Sequence, residues 1–185
     1  MAGASSSERW HPKDWKVTMS IVVVAGNPKP GSRTLDAGTR LATALTGREP
    51  DHVIDVISLG AGLLGWGDEA VAAAVSTVAE ADLVVFASPT FKATYTGVLK
   101  LFLDQFATGD GLRNVVAVPL MLGAGPAHAL APDLLLKPVL VELGATTPAP
   151  GLYLLDSTYT TDTAIADYTE RWSPVLAAAT RTEAA

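Results

Sequence analysis

The sequence predicts an α/β domain built on one parallel sheet with helices on both faces. Strand-like and helix-like segments alternate along the chain, which requires crossover connections, and these are right-handed and leave successive strands parallel. The first strand segment is apolar at every position rather than at every second one, as in a strand covered on both sides. Of the 185 residues 49% are hydrophobic and 17% charged, much of the apolar share being Ala and Val, which suits one domain with a sizeable core.

Residues 1–18 show no hydrophobic period of either kind and carry Ser5-Ser6-Ser7 among scattered charges. They read as a flexible extension ahead of a folded domain over residues 19–180. Ile21-Val22-Val23-Val24-Ala25 is the first strand and ends at Gly26. Gly26 to Arg33 is a loop by composition, and from Thr34 onward Leu35, Gly38, Leu41, Ala42 and Leu45 recur at helical spacing. Val53 to Ile57 is the second strand, after which Asp68 caps a helix with Val71, Val75 and Val78 on its apolar face. Asp82 to Ala87 is the third strand, stopped by Ser88-Pro89, and Val98, Leu99, Phe102 and Phe106 mark the next helix. Asn114 to Met121 is the fourth apolar run, with a glycine-rich loop from Leu122 to Ala127. His128 to Leu143 reads as helix, kinked or beginning after Pro132, because Pro132 and Pro138 each remove a backbone donor. Ala145 to Leu155 supplies a weak fifth strand and Thr163 to Ala179 a last helix.

Several function classes drop out on composition. A net charge of −6 leaves no broad basic face to neutralise a nucleic-acid backbone or an anionic membrane. With no cysteine there are no disulfides, thiolate metal sites or Cys nucleophiles, and three histidines argue against a metal cluster. No apolar run of about 18 residues occurs, and the first sixteen residues lack the pattern of a secretory signal, so a cytoplasmic location is expected.

Ligands of open parallel sheets bind beyond the carboxyl ends of the strands, where the strand order reverses. That rule selects the loops Gly26 to Thr34, Ser88 to Tyr95 and Leu122 to His128. The first sets the hydroxyls of Ser32 and Thr34, the amides around Gly31 and a helix N-terminus at one spot, with Lys29 and Arg33 beside them, which favours a phosphate. A plain strand-to-helix turn with a Ser or Thr cap uses the same residues. The dinucleotide fingerprint is not met, since this loop has Gly26 and Gly31 only. Those two glycines do have P-loop spacing, but Ser32-Arg33 stands where Lys and then Ser or Thr are required, which argues against nucleotide hydrolysis.

The second loop reads Ser88-Pro89-Thr90-Phe91-Lys92-Ala93-Thr94-Tyr95-Thr96-Gly97 and continues Val98-Leu99-Lys100-Leu101-Phe102-Leu103-Asp104. This stretch resembles the NADPH-dependent FMN reductase family, whose pattern is Pro-x-Tyr-Lys-x-Ser-x-Ser/Thr-Gly-x-Leu-Lys-x-x-Leu-Asp. Gly123-Ala124-Gly125-Pro126-Ala127-His128 and Leu136-Lys137-Pro138-Val139-Leu140 resemble it too, most of all the flavin reductases that serve sulfonate monooxygenases. The likeness covers about residues 19 to 155, with three motifs in order at three strand ends.

The resemblance implies a three-layer flavodoxin-like fold with a five-stranded parallel sheet of order 2-1-3-4-5. It implies that the protein uses FMN and NADPH, with flavin as cofactor, substrate or both. It assigns the flavin phosphate to Asn27, Ser32, Arg33 and Thr34 with Lys29 as a neighbour, and the ring to Pro89, Thr90, Phe91 and Lys92, with Gly123 and Gly125 on the far side. Phe91 stands where Tyr is usual, keeping the aromatic ring without its hydroxyl, and Leu134 stands where the sulfonate branch carries an aromatic. The reaction expected is hydride transfer from NADPH to FMN, with reduced flavin passed to a partner monooxygenase. Such chemistry is carried by the cofactors and needs no acid–base dyad. His128 is the one catalytic candidate, although a His near a helix start is more often a capping or solvated group. A homodimer or homotetramer is the assembly the family implies, and apolar faces around Phe102 and Phe106 agree with it. Reduction of a quinone or other small acceptor by tightly held FMN, a flavodoxin-type electron carrier, and an interaction protein without flavin are the competing readings. Lys29 and Arg33 in the phosphate loop disfavour the carrier.

Overall fold

The computed structural model describes residues 19–180, so the extension expected over residues 1–18, with Trp10 and Trp15, lies outside the described residues. Strand β1 (Ile21–Ala25) is buried at all five positions, and its side chains alternate between two cores. Ile21 and Val23 face one layer, while Val22 and Val24 face the other. Helix α1 (Arg33–Thr46) starts at Ser32, whose Oγ accepts from the Leu35 N–H, and stops at Gly47 in the left-handed conformation. Its buried face, Ala37, Leu41, Ala42 and Leu45, covers β1. Gly38 lets the two approach, since a Cβ there would come within 2.8 Å of a Val23 methyl.

Strand β2 (His52–Asp55) lies at the sheet edge, and β3 (Leu83–Pro89) and β4 (Val116–Gly123) are buried throughout. With β5 (Leu152–Leu155) they form an all-parallel sheet of order β2-β1-β3-β4-β5. Helix α1 and helix α5 (Ala164–Thr180) cover one face. Helices α2 (Glu69–Ala79), α3 (Gly97–Leu103) and α4 (Lys137–Glu142) cover the other. This is the predicted three-layer architecture, and the sheet order reverses between β1 and β3.

Several boundaries differ from expectation. The second strand ends at Asp55, because Val56–Leu64 turns into a 3-10 segment across Gly60, whose φ is 60°. The third strand runs through Ser88-Pro89 instead of stopping before them. In a parallel ladder the donor opposite the Gly26 carbonyl would be the N–H of residue 89, which proline lacks. The Thr96 hydroxyl takes its place, donating to the Gly26 oxygen at 2.5 Å. The fourth strand continues to Gly123, and the fifth is confined to Leu152–Leu155, Thr146 adding a single bridge to Val116. Phe106 lies beyond α3, reaching the same core from the following turn and meeting Phe102 edge-on at 5.3 Å.

The kink expected near Pro132 and Pro138 takes a definite form. Pro132–Leu136 is a π-helical turn in which the Lys137 N–H reaches back five residues to the Pro132 carbonyl. Helix α4 follows, and the register shifts where Pro138 has no N–H to give.

Candidate functional site

Beyond the carboxyl ends of β1, β3 and β4 the three predicted loops meet around a cleft of about 420 Å³. Asn27, Lys29, Ser32, Arg33 and Thr34 line it from the first loop, Pro89, Thr90 and Phe91 from the second, and Gly123 from the third. Gly125 and His128 line an adjoining depression that shares Thr90, Gly123 and Ala124 with the cleft. Lys92 is not on the cleft wall; with Ala93 it forms the tip of a two-residue turn closed by hydrogen bonds between Phe91 and Thr94. Trp66 is exposed in the loop before α2 and lines neither cavity. Arg113 lies at the opposite end of the sheet, beside Asp82 and Thr146.

The first loop is organised from within. The Asn27 side chain accepts from the Lys29 N–H (2.9 Å) and donates to Thr34 Oγ1 (2.9 Å), closing the loop onto the first turn of α1. Gly31 adopts φ 58°, and its N–H donates to an Asp55 carboxylate oxygen at 2.9 Å. Ser32 and Thr34 are almost fully buried, their hydroxyls beside the first-turn amides of a 14-residue helix.

Two further walls explain particular residues. Gly123 has no room for a side chain, since a Cβ would lie 1.8 Å from the Tyr153 hydroxyl, which itself donates to the Gly125 carbonyl at 2.8 Å. Thr90 Oγ1 is buried and has no hydrogen-bond partner among the described residues, a condition that a polar ligand in the cleft would relieve.

Sequence reasoning overlooked two carboxylates. Asp55 ends β2 beneath the first loop, and Asp156, just after β5, is part of the cleft wall. Arg33 donates to the Asp156 carbonyl (3.0 Å) and sits 3.1 Å from its carboxylate. The strand-end rule, applied to β2 and β5 as well, points to both. Burial, followed by the hydrogen bond to the Asp36 carboxylate, pushes the Tyr159 phenol above its ordinary pKa, and that bond (2.9 Å) ties the loop after β5 to α1. Among the described residues no group of three His, Asp or Glu side chains converges as metal ligands would.

A parallel sheet in this order, with a hydroxyl-rich loop and a helix N-terminus at the switch point, is the architecture of a flavodoxin-like protein. The chain belongs to the NADPH-dependent FMN reductase family, which it matches over residues 19–160. It is 38% identical over 80 residues to an FMN reductase (NADPH) of Pseudomonas putida, a match covering 43% of this chain and 40% of that protein's length. Against the NADH-dependent FMN reductase SfnF of Pseudomonas putida the identity is 30% over 141 residues, 72% of this chain and 75% of the relative. Among solved structures, an NADH:FMN oxidoreductase (EMOB) in its apo form superposes with a TM-score of 0.80 at 29% identity, covering 90% of this chain and 92% of the other.

Proposed function

We propose that residues 19–180 form an FMN-binding reductase domain that oxidises NADPH or NADH and reduces FMN. The observation that carries this reading is the cleft itself, where a helix N-terminus, two buried hydroxyls and the unpartnered Thr90 hydroxyl converge at the sheet's switch point. Family membership and the likeness to proteins named as FMN reductases support it.

The residues present fit FMN. Ser32, Thr34 and the amides of the first turn of α1 would hold its phosphate, with Arg33 and Lys29 supplying positive charge and Asn27 holding the loop in shape. Pro89, Thr90, Phe91, Gly123 and Gly125 would flank the ring. Lys92, outside the cleft, is free to meet a phosphate of the incoming nicotinamide nucleotide. When bound, FMN supplies the chemistry of accepting hydride from the dihydronicotinamide. The chain's own part is to bind, orient and exclude water, and His128 needs no proton-transfer role. Partner and location follow from the same reading: reduced flavin is passed to a separate flavin-dependent monooxygenase, and the protein works in the cytoplasm, where nicotinamide coenzymes are abundant. Among the described residues no helix is long and apolar enough to cross a membrane. Self-association as a dimer or tetramer is part of the proposal.

The test is NADPH and NADH oxidation under air at fixed protein while free FMN is raised from zero to excess. Saturable dependence on added FMN is expected. FMN binding without coenzyme oxidation would replace the reading with that of an electron carrier.

A further inference from the structure

Three groups of the first loop that attract a phosphate are already engaged by the protein's own atoms. One Asn27 amide N–H goes to Thr34, the Gly31 N–H to Asp55, and the Arg33 guanidinium to Asp156 twice over. The last of these differs from the others because Asp156 is itself a wall of the cleft and carries a full negative charge there.

The two partners are held very differently. Arg33 is 64% exposed on a long stem, whereas Asp156 is 32% exposed and fixed through its backbone, its N–H donating to the Gly123 carbonyl at 3.0 Å. Three residues on, Tyr159 is buried and bonded to Asp36 on α1. When Arg33 turns to an incoming anion, Asp156 therefore stays where it is. We propose that Asp156 competes with the flavin phosphate for Arg33, keeping FMN affinity low so that flavin is exchanged rather than retained. The inference rests on the FMN reductase reading and adds to it that Asp156 sets the residence of the flavin and the protein's preference for FMN over riboflavin.

An exposed ion pair of this kind is weak, so the competition is a tuning device rather than a block. Neutralising Asp156 is expected to tighten FMN by about 1.5- to five-fold and to leave riboflavin, which has no phosphate, unchanged. The experiment is equilibrium titration of the full chain with FMN and with riboflavin, followed by flavin fluorescence, for the native protein, D156N, D156S and D156E. The second neutral variant covers a folding failure of the first, and D156E keeps the charge and a ratio near native. A double variant, R33Q/D156N, should lose most of the gain over R33Q. An unmoved ratio of riboflavin to FMN dissociation constants in the neutral variants, an equal shift for both flavins, or a full gain without Arg33 overturns the proposal. Failure of the native protein to bind either flavin overturns the FMN reading along with it, and is distinguishable because no ratio then exists.

Discussion

Gly26 is where the chain leaves the sheet with a buried carbonyl that its neighbouring strand cannot satisfy, because Pro89 occupies the donor position. Thr96 repairs this and does more. Its Oγ1 donates to Gly26 and accepts from the Leu99 N–H (3.1 Å), capping α3, while its own N–H donates to the Ser88 hydroxyl (3.1 Å). One nearly buried residue thus joins the end of β1, β3 and α3 directly beneath the cleft. Thr96→Val keeps the shape but strands the Gly26 carbonyl and removes the cap. We expect a loss of about 2 kcal/mol in urea denaturation, where a loss under about 0.5 kcal/mol would contradict the role. The motif carrying the family resemblance contains Thr96, yet its role became visible only in three dimensions, since its partners are 70 and 8 residues away. Asp156 escaped notice for the same reason, being 123 residues from Arg33.

The hairpin tip at Phe91 to Thr94 places two non-glycine residues, Lys92 (φ 52°) and Ala93 (φ 71°), in the left-handed region. A two-residue turn between antiparallel segments needs that conformation, which Asn-Gly adopts with little strain and Lys-Ala does not. Replacing Lys92-Ala93 by Asn-Gly should raise stability by about 1 kcal/mol, read as an upward shift in Tm, and no rise would show that the strain is relieved elsewhere. Neither residue type announces such a turn, and the resemblance that assigned Lys92 to the ring carries no signal of it. Elements with strong periodic or compositional signals were legible: β1, α1, the order of the three ligand loops and the helix break near Pro132 all stand as read. What was not legible depended on pairing across the sheet, such as β3 running through its proline and β5 shrinking to four residues. Alternating burial on the two faces of β1 shows why the class was readable, since only a strand between two helix layers has no polar side to reveal.

At the scale of the molecule, the face carrying α3, the π-helical turn and α4 leaves Leu101, Leu134, Leu135 and Val141 exposed. Exposed apolar side chains on neighbouring elements suit contact with a second copy, in keeping with the assembly proposed above. Light scattering at micromolar protein should give the mass of a dimer or tetramer, and Leu134→Glu should lower it; a native monomer would remove the idea. The opposite end of the sheet, with Arg113 and Asp82, takes no part in the cleft. The cleft's walls are also unequally placed along the chain: all lining residues but Asp156 lie at or before Ala124. A ribosome working at roughly 5–20 residues per second delivers Asp156 on the order of a few seconds after Ala124. The carboxylate proposed to compete for Arg33 is thus the last wall to be made. In the growing chain the first loop and Arg33 exist before Asp156 does, and the ion pair between them is completed only when the final edge of the sheet is laid down.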